Sequence, residues 1–317
     1  MKLKNGKNSL IIAFLIVLFT ANIVHAKGDI FIFSSKNDTG KKISVDIEKS
    51  FAKNGFTISG NTDLSGAFEK IFNQSDFSVF NLLSVIPNKL SEKLVEKYPN
   101  AGIFVPSSVA IYQLKGDKNI QVATLSAEAK AKILGLKDID PLLIEIEKQT
   151  VKSIKSALPN MINQKSNDPA IGTKKALLSL YELEVDNEDW GDSLEELEMS
   201  LEDGFGPLGF IMSNFTDYSE TLSANEDFKS MFDFYHTYSI CKIKVVYSVS
   251  KSHPEAGAFA PCSLMVYKMK DDPKIVIGFP SVYNWLSSVG VNDKESVDFL
   301  MKAQSDFEKL LGDLTEE

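Results

Sequence analysis

Two cysteines and three histidines are the chain's whole supply of thiol and imidazole ligands. Apart from His25, all of them fall within 27 positions: His236, Cys241, His253 and Cys262. Thiolate and imidazole together suit copper(I), zinc or iron, the last including haem. These four residues are therefore candidate ligands of a soft-metal or haem site, although their spacing fits no zinc template with tight Cys-x2-Cys pairs. The histidines also read simply as loop residues. The two cysteines admit three further readings. A disulfide suits an oxidising compartment and would close a loop of about 20 residues, adding roughly 3 kcal/mol in the chain-entropy account. Two free thiols could instead pack as small hydrophobes. A redox pair would need close spacing and a helix N-terminus to depress a thiol pKa, and neither is legible here.

Other chemistry is weakly signalled. There is no Gly-rich phosphate loop, no Gly-x-Ser-x-Gly elbow and no His-Glu-x-x-His, so catalytic residues are left unassigned. Eleven acidic residues and no basic one lie between Glu182 and Asp203. Within that run, Asp186–Asp192 has a superficial likeness to a calcium loop. Trp190 occupies a ligand position, however, and Leu197 stands where the bidentate Glu belongs, so a solvated acidic face is the simpler reading. The net charge is −9, and every basic residue is lysine. An anionic surface repels phosphate backbones and argues against a nucleic-acid partner.

The elements that must position these residues come as a repeat. With a constant offset of 155, Pro99–Asp138 aligns without gaps to Pro254–Asp293, and 13 of the 40 pairs are identical. The identities include Pro99/Pro254, Gly102/Gly257, Pro106/Pro261, Ser108/Ser263 and Tyr112/Tyr267. Prolines and glycines set backbone geometry, so the match reports a shared fold as well as shared hydrophobicity. Upstream, Gly55-Phe56 matches Gly209-Phe210, and Thr62-Asp63 matches Thr216-Asp217. Phe68, Phe72 and Phe77 parallel Phe228, Phe232 and Tyr238.

Each copy reads in the same order. A strand (30–35; 177–185) precedes a helix ended by a glycine suited to a left-handed cap. A short strand follows (56–59; 210–213), then a helix (64–73; 224–234) and an apolar strand (77–85; 238–249). A Pro-x-Ala-Gly turn leads to a hairpin (108–114 and 120–125; 263–269 and 275–279) with polar turn residues. An amphipathic helix closes each copy (141–158; 294–311). The expected fold class is α+β: two tandem two-layer α/β sandwiches, with a mixed, largely antiparallel sheet and helices on one face. The first copy spans 28–158 and the second 174–313. Residues 159–173, rich in Asn, Pro, Ser and Gly, read as a linker.

The run Cys241-x12-Pro254-x2-Gly257-x3-Pro261-Cys262 resembles the signature of the bacterial domain of unknown function 302 family. That pattern ends one strand on Cys and opens the next with Pro-Cys. The usual Asn-Pro after the first cysteine is absent, Lys242-Ile243 standing there. Copy one keeps Asn81, Pro99, Gly102 and Pro106, with Phe80 and Ser107 aligned to the cysteines and about six extra residues between them. The resemblance implies an α/β two-layer fold with no assigned activity or cofactor.

Lys2, Lys4 and Lys7 precede an apolar run from Leu10 to Phe19, and Val24-His25-Ala26 suits signal peptidase. Residues 1–26 thus read as a signal peptide cleaved after Ala26, delivering a periplasmic or secreted protein with no membrane span left in the mature chain. The expectation is a non-enzymatic binding or interaction protein that takes a small apolar ligand or a protein partner. Its cleft would lie between sheet and helices or between the copies. The alternative is a redox, soft-metal or haem protein using Cys241 and Cys262.

Overall fold

A computed structural model describes residues 28–165, 174–219 and 231–315. The expected signal peptide and most of the expected linker lie outside them. The first copy runs β1 (Ile30–Lys36), α1 (Lys42–Lys53), β2 (Phe56–Asp63), α2 (Leu64–Phe72), β3 (Phe77–Pro87) and α3 (Leu90–Lys97). A 3₁₀ segment (Pro99–Phe104) follows, then β4 (Ser107–Leu114), β5 (Asn119–Leu125), α4 (Ala127–Ile133), α5 (Pro141–Ala157) and β6 (Ile162–Lys165). The second copy comprises β7 (Leu178–Glu184), α6 (Trp190–Phe205), β8 (Ile211–Asp217), β9 (Phe232–Cys241) and α7 (Ile243–Ser250). It continues with a 3₁₀ segment (Pro254–Phe259), β10 (Cys262–Met269), β11 (Lys274–Pro280), a π-helical turn (Trp285–Val289) and α8 (Lys294–Thr315).

The strands form two sheets, ordered β2-β3-β4-β5-β1-β6 and β7-β11-β10-β9-β8. Every pairing among the described strands is antiparallel. Local sequence explains the element ends. Gly55 (φ +88°) and Gly209 (φ +76°) take left-handed backbone after α1 and α6, where a Cβ would be strained. Asp63, Ser126 and Asp140 cap α2, α4 and α5 by accepting backbone N–H bonds.

Side-chain alternation along the strands gives each sheet two buried faces. The outer face of the first sheet carries Val109, Ile111 and Val122 beneath Ile43, Ile47 and Phe51 of α1 and Ile154 of α5. The outer face of the second carries Leu264, Val266 and Ile277 beneath Leu197 and Leu201 of α6 and Phe307 of α8. The inner faces share a single core: Phe80, Leu82, Ala110 and Tyr112 belong to the same cluster as Tyr235, Met265 and Tyr267. Each 3₁₀ segment crosses to the other copy, Pro254–Phe259 lying on β4 and β5 and Pro99–Phe104 on β10 and β11.

Polar contacts repeat that exchange. Ser108 Oγ donates to the Pro261 carbonyl (3.3 Å), and Ser263 Oγ donates to the Pro106 carbonyl (3.2 Å). The Gly102 N–H donates to Tyr235 Oη (3.1 Å), and Tyr235 in turn donates to the Pro99 carbonyl. A Cβ on Gly102 would stand 2.1 Å from Tyr235 Oη, and one on Gly257 would stand 2.8 Å from Ala110 Cβ. The glycines of the repeated turn are therefore places where one copy's backbone touches the other's sheet.

Several expectations are corrected. The strand expected over 238–249 ends at Cys241, and 243–250 is helix. Strands β8 and β10 supply partners only as far as Cys241 and Ile240. Beyond them an extended backbone would be unpaired, and a helix satisfies its own N–H and C=O groups despite the β-branched residues. Phe232–Phe234, expected to end a helix, open β9, and the rest of that expected helix (224–230) lies outside the described residues. The expected linker contributes β6, which pairs with β1 and covers its edge. Helices α3 and α4 were not anticipated. Strand register also resets the alignment of the copies. Phe77 faces Leu114 as Phe232 faces Met269, and Val85 faces Ser107 as Ile240 faces Cys262. The gapless offset of 155 therefore reaches back to Phe77, and Cys241 corresponds to Ile86 rather than Phe80. No residues are inserted between the two motif positions in copy one.

Candidate functional site

The second copy holds an apolar cavity of about 610 Å³, its open mouth included, where β9 ends and β10 begins. Cys241 and Cys262 line it from these strand ends, and α7, Trp285 and α8 close over them with Val245, Trp285 and Ala303. The sequence places it there by a change of element. β9 stops when its partners stop, the chain turns into α7, and the gap between the strand ends and α8 is bridged by apolar side chains. In copy one, Ile86 fills the position of Cys241 with a larger branched side chain that is 6% exposed.

The polar groups at the cavity are already engaged. Gln304 accepts the Val282 N–H (2.9 Å) and donates to Glu308 (2.7 Å). Lys242 bonds Asp306 (3.0 Å) and lies 4.7 Å from the Phe210 ring centroid. Burial acts to raise the Asp306 carboxyl, but the hydrogen bonds from Lys302 and Lys242 outweigh it and hold the group below its usual value. What remains open is hydrocarbon and sulfur.

Both cysteines are free thiols, neighbours at the ends of adjacent strands. Burial pushes Cys241 up to about 12, with the nearby Cys262 adding to it, and burial alone pushes Cys262 to about 12. Both therefore stay protonated at neutral pH, the opposite of what a reactive thiolate requires.

The four residues drawn from the sequence do not converge. His236 lies five residues along β9 from Cys241, on the outer face with Phe234 and Tyr238. Its Nδ1 is 2.8 Å from Glu198 Oε1 and its Nε2 is 3.8 Å from Asp217. Burial works to raise Glu198, but hydrogen bonds from His236 and Tyr238 prevail and lower it. His253 sits just before the second 3₁₀ segment, 3.3 Å from Glu255, whose hydrogen bond raises the imidazole pKa against partial burial. Among the described residues no group of three or more His, Cys, Asp or Glu is arranged to hold a metal ion. In the acidic run, Asn187 accepts a hydrogen bond from the buried Lys268 (2.8 Å), and Asp186 accepts the Glu188 N–H. The cavity lining from α7, α8 and Trp285 was not found from sequence. The available signal was the length of the apolar stretch 231–249, too long for one strand between two turns.

Comparison with known proteins agrees with the repeat. The chain matches the profile described as "Domain of unknown function DUF302" over residues 35–157 and again over 187–312. A solved structure, the uncharacterized conserved protein DUF302 from Bacillus stearothermophilus, is 18% identical, with a TM-score of 0.33. That match covers 45% of this chain and 98% of the other. No curated protein matches. With the profile met twice and most of the chain covered, this protein belongs to the DUF302 family, as two copies in tandem.

Proposed function

We propose that the chain is an exported, non-enzymatic binding protein that holds a small apolar ligand in the cavity of its second copy. The observation that carries this reading is the cavity itself: about 610 Å³ with its mouth, apolar, its few polar side chains committed to one another. The cavity opens to solvent, and burial of apolar surface supplies the affinity. Export rests on the N-terminal lysines, the Leu10–Phe19 run and the Val24-His25-Ala26 site. No helix among the described residues is long and apolar enough to cross a membrane. The net charge of −9 disfavours nucleic acid as the ligand.

The test uses N-phenyl-1-naphthylamine, a neutral apolar probe whose fluorescence rises on burial. Saturable binding is expected for the wild type and loss of it for Ala303→Phe, which fills the cavity, with the far-UV spectrum unchanged. Equal binding by both proteins, or none by the wild type, overturns the reading.

A second reading, redox or soft-metal chemistry at the cysteines, draws on their standing unbridged beside one another in one cavity. Their high pKa values weigh against it. Intact mass of protein taken from the periplasm separates the cases. A mass two daltons low with unreactive thiols means a disulfide, extra native mass lost in Cys241→Ser and Cys262→Ser means metal, and neither means a passive lining.

A further inference from the structure

A second cleft, about 370 Å³ with its mouth, lies on the seam between the copies. Its walls come in matched pairs from the two copies: Phe104 with Phe259, Pro106 with Pro261, Ser108 with Ser263. Ser107, Lys130 and Ile133 line it without their counterparts, and of these Lys130 alone carries a charge. Lys130 of α4 lines the cleft, and the residue 155 positions on is Trp285. In copy two that indole stacks with Phe259 at 6.2 Å, while in copy one the Lys130 ammonium lies 5.8 Å from the equivalent Phe104 ring.

Lys130 is only 4% exposed. Among the described residues, no hydrogen-bond acceptor and no carboxylate within ion-pair distance meets its amine. Glu147 of α5 acts on it electrostatically, but that carboxylate accepts the Ala127 N–H at 2.6 Å. Lys130 is also the sole titratable residue in the lining. Its three donors, at the wall of the cleft and without a protein acceptor among the described residues, are free to meet one from a ligand. The fold does not demand the amine, because an apolar side chain serves at the same place in copy two.

We propose that the seam cleft binds a small monocarboxylate, its carboxylate on the Lys130 amine and its short apolar end between the paired prolines and phenylalanines. A phosphate would need several further donors that the walls do not offer, because the hydroxyls of Ser107, Ser108 and Ser263 already donate to backbone carbonyls, whereas a carboxylate is served by one ammonium. The small volume limits the acid to a few carbons.

The probe is propionate, titrated calorimetrically into the full chain at pH 7 against sodium chloride of equal ionic strength. One saturable site is expected for the wild type. Its affinity should fall about tenfold per pH unit once the pH exceeds the pKa of about 8 to which burial lowers Lys130. Lys130→Met should abolish propionate binding yet still bind N-phenyl-1-naphthylamine in the copy-two cavity. Propionamide, neutral and of the same shape, should not compete. Absence of binding, equal binding by Lys130→Met, or equal binding of propionamide overturns the proposal. The pH and propionamide measurements on the wild type decide the matter even if the variant fails to fold.

Discussion

The two copies share a fold and differ at their cavities. Where they agree, they hold each other. Pro99/Pro254, Gly102/Gly257, Pro106/Pro261 and Ser108/Ser263 form the crossing segments and the reciprocal hydroxyl-to-carbonyl bonds. Where they differ, at Ser107/Cys262 and Lys130/Trp285, the side chains line one of the two clefts, and Cys241 lines a cleft where its counterpart Ile86 does not. Geometry explains the first set, since a Cβ on either glycine would collide with the opposite copy. The comparison teaches that the repeated motif is an interface between copies. The residues that set the two clefts apart sit in the positions the repeat leaves free.

The largest expected effect tests the interface. Gly102→Ala drives a methyl group into Tyr235 and should cost about 3 kcal/mol in urea unfolding, the upper end for overpacking. Gly257→Ala meets the Ala110 Cβ at a longer distance and should cost less; equal losses would mean the copies carry the seam equally.

The next effect separates Lys130 from Trp285. Burial holds the Lys130 amine at about 8 in the folded protein against 10.5 unfolded. The unfolded chain therefore binds more protons between those values, and wild-type stability rises with pH across that window. Lys130→Met should accordingly be more stable than wild type by about 3 kcal/mol at pH 7, the gap closing by about pH 10.5. An unchanged gap at both pH values would show that the amine is not desolvated.

Smaller effects sharpen the symmetry. Ser108→Ala and Ser263→Ala each remove one seam hydrogen bond and should each cost about 1 kcal/mol, leaving a buried carbonyl short of a donor. A twofold difference between them in chemical denaturation would show the seam to be energetically lopsided.

The smallest effect at neutral pH comes from the thiols. Their folded pKa values of about 12 exceed the ordinary 9, so the folded state holds protons that the unfolded state releases. Their contribution is complete below pH 9 and is lost as the pH rises toward 12. The double variant Cys241→Ala, Cys262→Ala should differ from wild type by about 1 kcal/mol at pH 7 and lose that pH dependence. A wild-type curve parallel to the variant's would show the thiols to be solvated.

The duplicated α+β domain was legible because glycine, proline and hairpin residues fix backbone geometry locally, and they recur at one offset. Gly55 and Gly209 mark helix ends in the sequence and take left-handed backbone in the fold. The apolar run after Tyr238 was not legible in the same way. Val245, Val246 and Val249 favour a strand by local preference, and only the lack of a neighbouring strand beyond Cys241 turns them into α7. The candidate site was half legible: the cysteines were singled out, but their company was not, because α8 reaches them from some 40 residues further along the chain. Lys130 lay in plain view opposite Trp285 in the aligned repeat. It shares the seam cleft with Phe259 and Pro261, and their proximity depends on the copies crossing over one another. By itself, then, the sequence determined the repeat, the element types set by local backbone chemistry, and the residues able to do chemistry. The tertiary structure alone decided which of those residues meet, because burial, charge and contact depend on segments that only the packing of one copy on the other brings together.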